Sequence, residues 1–346
     1  MKVAVSGVGG GVGQSVLKAL AIAVLPVEVA AVDVQPLSAG LYLGLEYAVL
    51  PRPETPDGLA AWSEWAEAAG VVALIPGSDH DLLALAAARD DWQARGGCRI
   101  LVSDRELVET CRDKAKTCQR LVAAGLPAPR SIWDASVDEA AAWARDCCYP
   151  VVLKPRDGSA SRGVHVVGDE EELRFFFART DSPIIQEYLH LHGQAEEFTC
   201  AVFAKRDGGI AGTFMARRDL SGGATYRAEV GQWPEIDRLL RSMAEVLCPR
   251  GPLNVQLRLT ERGPVPFECN IRCSGTSAIR AHFGFNEPEM LLRHYLLDED
   301  LKEPPVRTGY VLRYWDEVFI DGADRARLRD PRVRNEGRTR QWWPPS

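Results

Sequence analysis

Tyr149-Pro150-Val151-Val152-Leu153-Lys154-Pro155, running on as Arg156-Asp157-Gly158-Ser159-Ala160-Ser161-Arg162-Gly163, is the stretch that decides how this chain is read. An apolar run of strand length ends on a lysine locked by the proline after it, and a loop of small residues leads to a second strand over 163–167. A lysine at the end of a buried strand, beside a loop whose backbone can close over a ligand, suits nucleotide phosphates. Farther on, Phe267-Glu268-Cys269-Asn270-Ile271-Arg272 alternates apolar and polar, so Glu268, Asn270 and Arg272 share one strand face. Two hard oxygen ligands beside a guanidinium suit Mg2+ and a phosphate, and polar groups inside an apolar strand need partners. Gln256 lies on the strand predicted over 253–260, and the short Glu261-Arg262-Gly263 turn lets hairpin pairing bring it alongside.

Between these segments, Ile184-Ile185-Gln186-Glu187-Tyr188-Leu189 is an apolar strand that turns polar, as a hinge pairing its backbone with an adenine edge would. Two further strands, 197–205 and 210–216, flank an Asp207-Gly208-Gly209 turn, and helices are expected over 137–146, 170–179, 234–247 and 288–297. A final strand is expected over 309–319.

The first hundred residues read differently. Strands at 2–6, 27–34, 71–76 and 99–102 alternate with helices at 14–24, 62–69 and 82–95, which means a parallel sheet covered on both faces. Gly7-Val8-Gly9-Gly10-Gly11-Val12-Gly13 joins the first strand to the first helix, and Asp33 ends the second strand. That placement allows a dinucleotide, with Asp33 on a ribose, and equally allows glycines used for close helix–sheet packing. One helix is expected over 104–124, stopped by Gly125 and Pro127.

With 346 residues, 46% hydrophobic and 26% charged, the composition is that of a soluble globular protein of two or three units. The net charge of −7, without a Lys/Arg block, argues against nucleic acid or a membrane as partner. Nine cysteines without paired C-x-x-C knuckles fit buried thiols. The histidines, among them His165, His190, His192 and His282, show no catalytic or metal spacing. A start without a signal pattern, and no apolar run of about 18 residues, give a cytoplasmic address as the expectation.

Taken in order, DKAKT, YPVVLKP…SASRGV, IIQEYL, EEFTC, NVQLRL and FECNIRCSG resemble the ATP-grasp superfamily, in particular its carbamoyl-phosphate-synthase-like branch, over about 104–300. The resemblance implies a fold of mixed α/β and α+β class. A Rossmann-like parallel-sheet domain (1–106) precedes linker helices with the small ATP-grasp lobe (107–189), a large lobe carrying the metal site (190–320) and a C-terminal tail (321–346). It implies that Lys114 and Lys154 contact ATP phosphates, beneath a loop that includes Ser159 and Ser161. Gln186, Glu187, Tyr188 and Leu189 would form the adenine hinge, Glu187 and Leu189 through backbone groups. Glu197 would face the nucleotide or its ribose. Gln256, Glu268 and Asn270 would ligate magnesium, with Mn2+ as a substitute, and Arg272 would meet the transferred phosphate. The phosphate loop is poorer in glycine than in many relatives, and the chain holds one such unit without a glutaminase segment, unlike a complete carbamoyl-phosphate synthetase.

The chemistry this implies is ATP- and Mg2+-dependent ligation of a small-molecule carboxylate to an amine through an acyl phosphate. The arginines of ARRDLSGGATYRAE, with Arg217 foremost, and Arg280 beyond the metal strand are the expected substrate contacts, suited to an anionic, amino-acid-like acid. Many relatives pair through their N-terminal domains, so a homodimer is one expectation. Other ATP-grasp outcomes (a carboxylase, kinase or acid–thiol ligase) and an NAD(P)-dependent enzyme built on the glycine loop stand as the rival readings.

Overall fold

A computed structural model describes residues 1–158, 162–190, 197–314 and 317–318. Ser159, Ser161, His192 and the tail 321–346 lie outside the described residues. The N-terminal unit is a parallel sheet in the order β3-β2-β1-β4-β5, built from β1 (Lys2–Val5), β2 (Glu28–Asp33), β3 (Glu46–Val49), β4 (Val71–Ile75) and β5 (Arg99–Ile100). Helices α1 (Gly11–Ala21), α2 (Gly58–Ala68) and α3 (Asp79–Ala94) cover it. Strand alternation divides its side chains between two cores. Val3 and Val5 meet Val16, Leu17 and Leu20 of α1, whereas Ala4 meets Trp62 of α2 and Leu82 and Leu85 of α3.

The helix expected over 104–124 is two helices, α4 (Arg105–Arg112) and α5 (Lys114–Ala123). Asp113 breaks it: its backbone is extended (φ −87, ψ 108), and its carboxylate accepts from the N–H groups of Ala115 and Lys116 as the cap of α5. Lys114 therefore becomes the first residue of a helix. Both helices pack on the large lobe, where Leu107, Cys111 and Leu121 share a core with Phe198, Val255 and Cys269.

The small lobe is an antiparallel sheet in the order β6-β9-β7-β8, from β6 (Ser131–Trp133), β7 (Val151–Pro155), β8 (His165–Val167) and β9 (Pro183–Glu187), backed by α6 (Val137–Cys147) and α7 (Glu170–Phe177). The large lobe is a six-stranded antiparallel sheet in the order β14-β13-β10-β11-β12-β15. Its strands are β10 (Glu197–Ala204), β11 (Ile210–Ser221), β12 (Ala224–Val230), β13 (Gly251–Thr260), β14 (Gly263–Asn270) and β15 (Gly309–Leu312). Helix α8 (Pro234–Leu247) covers one face, and α9 (Ser277–His282) and α10 (Glu287–Leu291) follow β14. Three expectations change here, the first being that the strand expected over 309–319 is Gly309–Leu312 among the described residues. The strand begun at Ile210 continues to Ser221 and turns back as β12, and α10 passes into a π-helical turn at Leu292–Leu296.

The second face of the large sheet shares one core with the N-terminal unit: Ala201, Phe203, Phe214 and Phe285 cluster with Val3, Val5, Leu17 and Leu20. That contact holds the ends of β1 and β4 against the large lobe. Within the N-terminal unit, glycines let the loop after β1, α1 and the end of β4 approach closely. A Cβ on Gly13 would stand 2.3 Å from the Gly7 carbonyl oxygen, and one on Gly77 2.2 Å from that of Ser6. Gly13→Ala is expected to cost about 1–3 kcal/mol in urea unfolding. Gly11→Ala, whose Cβ would meet nothing within 4 Å, should leave stability unchanged or slightly higher.

Candidate functional site

The cleft face of the large sheet carries polar residues in registered rows. Along β13, Leu253, Val255 and Leu257 enter the core beneath α8, so Asn254, Gln256 and Arg258 face the cleft. Gln256 stands opposite Glu268 on β14 and Thr199 on β10, and Asn254 stands opposite Asn270. Glu197, at the head of β10, lies between Arg218 of β11 and Arg258 of β13. Arg218 donates through Nη2 to Glu197 Oε1 (2.8 Å) and Gln256 Oε1 (2.9 Å), and Arg258 reaches Glu197 Oε2 (3.4 Å) and the Leu189 carbonyl (3.1 Å). Arg258 was not among the expected residues, although the alternation that exposes Gln256 exposes it too.

Lys154, at the end of β7, is 6% exposed, with Nζ 3.4 Å from the Phe267 carbonyl oxygen. Lys114, 9% exposed, donates from Nζ to the carbonyls of Gly158 (3.0 Å) and Arg156 (3.3 Å). Among the described residues neither ammonium has a carboxylate within ion-pair distance. Burial lowers the Lys154 pKa to about 8, helped by the Lys114 charge, and burial likewise lowers that of Lys114. Both line a cavity of about 220 Å³ between the lobes, together with Gln186, Glu187, Tyr188, Leu189, Glu197, Gln256 and Glu268. Val152, Val164, Val166, Leu220 and Phe267 wall the same cavity. Val164, Val166 and Leu220 are exposed, as fits an apolar slot into which a flat base can slide.

The hinge residues divide their tasks. Gln186 is buried and donates to the Ser131 hydroxyl (2.9 Å). The Glu187 N–H donates to the Arg130 carbonyl (2.9 Å), so this group is already committed, and the Glu187 carboxylate accepts from Arg262 (2.6 Å). At Leu189 the carbonyl is held by Arg258, and no hydrogen bond engages its N–H among the described residues.

For a metal, the available donors are hard oxygens: the Glu268 carboxylate and the side-chain oxygens of Gln256 and Asn270. Asn270 Nδ2 donates to Glu268 Oε1 (2.9 Å), which aligns the two. Among the described residues no group of three or more His, Cys, Asp or Glu forms an all-protein cage. One carboxylate and two amides fit Mg2+, an ion that keeps waters and phosphate oxygens in its shell.

Three expected residues are placed otherwise than the sequence suggested. Arg272 points at the N-terminal unit, where Asp79 clamps it through Nε (2.5 Å) and Nη2 (2.9 Å). Arg217 lies on the opposite face of β11 from Arg218, on the same side as Met215, and pairs with Glu229 away from the cleft. Strand alternation allows only one of two neighbouring arginines to face the site. Arg280 is fully buried and bonds Glu287 Oε1 (2.7 Å), Asn254 Oδ1 (2.6 Å), Thr199 Oγ1 (3.2 Å) and the Cys200 carbonyl (3.0 Å). It braces Asn254 and Thr199 and touches no ligand space.

A second cleft of about 900 Å³ opens beside Glu268, Asn270 and Arg272, between the large lobe and the strand ends of the N-terminal unit. Gly7 and Gly9 to Val12 of the glycine loop line it. Asp33 accepts from the N–H groups of Gly9 (2.7 Å) and Gln35 (2.9 Å), so it secures the loop.

The chain is similar to known proteins in sequence and in fold. An ATP-grasp domain family matches residues 111–202, and a family described as ATP-grasp in the biosynthetic pathway with Ter operon matches residues 180–318. The uncharacterized protein y4rH of Sinorhizobium fredii is 26% identical over 220 residues, 58% of this chain and 45% of that protein. The carbamoyl phosphate synthase large chain of Hyperthermus butylicus is 30% identical over 109 residues, 30% of this chain and 10% of that one. The chain thus spans less than half the length of these relatives. N5-carboxyaminoimidazole ribonucleotide synthetase from Thermus thermophilus superposes with a TM-score of 0.70 at 15% identity, covering 95% of this chain and 87% of that one. The biotin carboxylase domain of Hydrogenobacter thermophilus 2-oxoglutarate carboxylase, solved with MgADP, ADP and bicarbonate, gives 0.69 at 17% identity, covering 89% and 73%. At these identities the structural likeness is one of fold. The chain belongs to the ATP-grasp superfamily. Within it, about a third of the chain is similar to a carbamoyl phosphate synthase large chain.

Two predictions follow from the charges. Because Lys154 titrates near 8 and bound polyphosphate would raise that value, ATP binding should take up protons at pH 8–9 and weaken as pH rises beyond about 8. Calorimetry in buffers of different ionisation enthalpy measures this, and the uptake should vanish by about pH 6.5. Arg280→Met should destabilise the fold by about 3–5 kcal/mol in urea by stranding Glu287, whereas Arg217→Ala should change it by about 1 kcal/mol or less.

Proposed function

We propose that this protein is an ATP- and Mg2+-dependent ligase that activates a small-molecule carboxylate as an acyl phosphate and transfers it to an amine, forming an amide or peptide bond. The supporting observation is the pair of buried lysines, without carboxylate partners among the described residues, that share an apolar slot with Gln256 and Glu268, the latter bonded to Asn270. Adenine lies against Val152, Val166 and Phe267, with the Leu189 N–H at its edge. Glu197, fixed by Arg218 and Arg258, faces the ribose. Lys154 and Lys114 hold the phosphates. Gln256, Glu268 and Asn270 hold the metal, which when bound neutralises phosphate charge and keeps the terminal phosphoryl group in line. Mn2+ takes the same oxygens.

The second cleft presents the acid to that phosphoryl group. Its carboxylate oxygen attacks phosphorus, ADP leaves, and the amine then displaces phosphate from the acyl carbon. Lys154 offsets the negative charge that builds on the transferred group, and Arg272, held by Asp79, stays in the wall of the second cleft. No side chain has to form a covalent intermediate, in keeping with free, mostly buried cysteines. Closing the small lobe on the large one keeps water from the acyl phosphate.

The direct test is phosphate release from ATP·Mg2+ across a panel of carboxylates and amines, with products identified by mass. Release that needs a carboxylate and yields an amide is expected, and Lys154→Met should lower it by about 100-fold or more. Release driven by bicarbonate with a carboxylated product would replace the proposal with a carboxylase.

A further inference from the structure

Most charges lining the second cleft are satisfied within the protein. Arg272 has Asp79, Arg218 has Glu197, Arg52 has Glu54, and Asp33 has two backbone N–H groups. Glu268 has only Asn270 at the metal-facing row, and Arg162 is exposed; two more charges, among the described residues, stand without an ion pair. Asp81, in the first turn of α3, is 5% exposed and accepts a hydrogen bond from the Ser6 hydroxyl (2.9 Å). Among the described residues no Lys or Arg lies within ion-pair distance of it, while Asp33 and Glu54 add repulsion. Arg313, just beyond β15 on the large lobe, donates to the Gly275 carbonyl, and among the described residues no carboxylate lies within ion-pair distance of it. Burial leads the shifts of both, raising Asp81 to about 6 and lowering Arg313, so each is held in its charged form at a cost.

A charge withdrawn from water without an opposite charge is costly, and here, among the described residues, a buried carboxylate and a half-buried guanidinium of the same cleft both lack one. A ligand bearing both signs removes both costs. We propose that the second cleft binds an amino-acid zwitterion as one of the two substrates, its ammonium group on Asp81 and its carboxylate on Arg313. The residues that select it are therefore Asp81 and Arg313, in place of Arg217 and Arg280. Asp81 comes from the N-terminal unit and Arg313 from the large lobe, so binding draws on both walls. This rests on the ligase reading, because the cleft opens beside Glu268, Asn270 and Arg272.

The test is calorimetric titration of amino acids, their N-acetyl derivatives and their carboxamides into protein saturated with Mg2+ and a non-hydrolysable ATP analogue. At least one amino acid should bind, and each derivative should bind about tenfold or more weakly. Asp81→Asn, whose amide oxygen can keep the Ser6 hydrogen bond, should raise the amino-acid Kd about tenfold or more and abolish discrimination against the N-acetyl derivative. Arg313→Met should abolish discrimination against the carboxamide. Unchanged affinity of both variants for the ATP analogue shows that they fold, and the derivative pattern stands on the wild-type protein alone. Absence of amino-acid binding, equal binding of parents and derivatives, or variants that bind amino acids like the wild type would each overturn the proposal. Failure of the ligase reading looks different: amino acids bind in the expected pattern, yet none stimulates phosphate release.

Discussion

Two buried ammonium groups lining one cavity, neither with a carboxylate within ion-pair distance among the described residues, set the terms for the rest of this structure. Lys154 and Lys114 repel each other and lose hydration; among the described residues their hydrogen bonds go to carbonyl oxygens, and Glu268 attracts both from beyond ion-pair distance. A polyanion between the lobes relieves the repulsion and the desolvation together. The local structure maintains this arrangement. Asp113 stops α4 and caps α5, so Lys114 starts a helix, and the Asp113 carboxylate also holds Arg156 (2.8 Å), whose carbonyl accepts from the Lys114 backbone. Pro155 ends the strand that delivers Lys154.

The same cleft depends on the N-terminal unit. Val3, Val5 and α1 share a core with Phe203 and Phe285, and Asp79 clamps Arg272 across the seam. Arg112 donates to the Asp79 carbonyl (2.6 Å) and pairs with Asp157 (2.9 Å), tying the N-terminal unit to the loop after β7. The glycine loop, which by itself suggests a dinucleotide, serves here in close packing and as one wall of the second cleft.

What the sequence disclosed follows from the range of the interactions. Period-two alternation exposed Glu268, Asn270 and Arg272, and the strand–loop pattern exposed Lys154, because each signal lies within a few residues. The same alternation in Asn254-Val255-Gln256-Leu257-Arg258 displays Arg258, and Ser221-Gly222-Gly223 is a hairpin signal for β12 that passed unread. Arg280 misled because a guanidinium in a six-residue helix looks exposed until Glu287 and Asn254 close around it. Asp79, Asp81 and Arg313 carry no local signal. Their roles exist only once the N-terminal unit and the large lobe meet.

The central claim is that the buried lysines, and not the glycine loop, form the nucleotide site. Titration of ATP·Mg2+ and of NAD(P)H into the wild-type protein and into Lys154→Met tests it most directly. One ATP per chain, lost in the variant, with no NAD(P)H binding to either protein, is the predicted result. NAD(P)H binding, or ATP affinity indifferent to Lys154, would contradict the account.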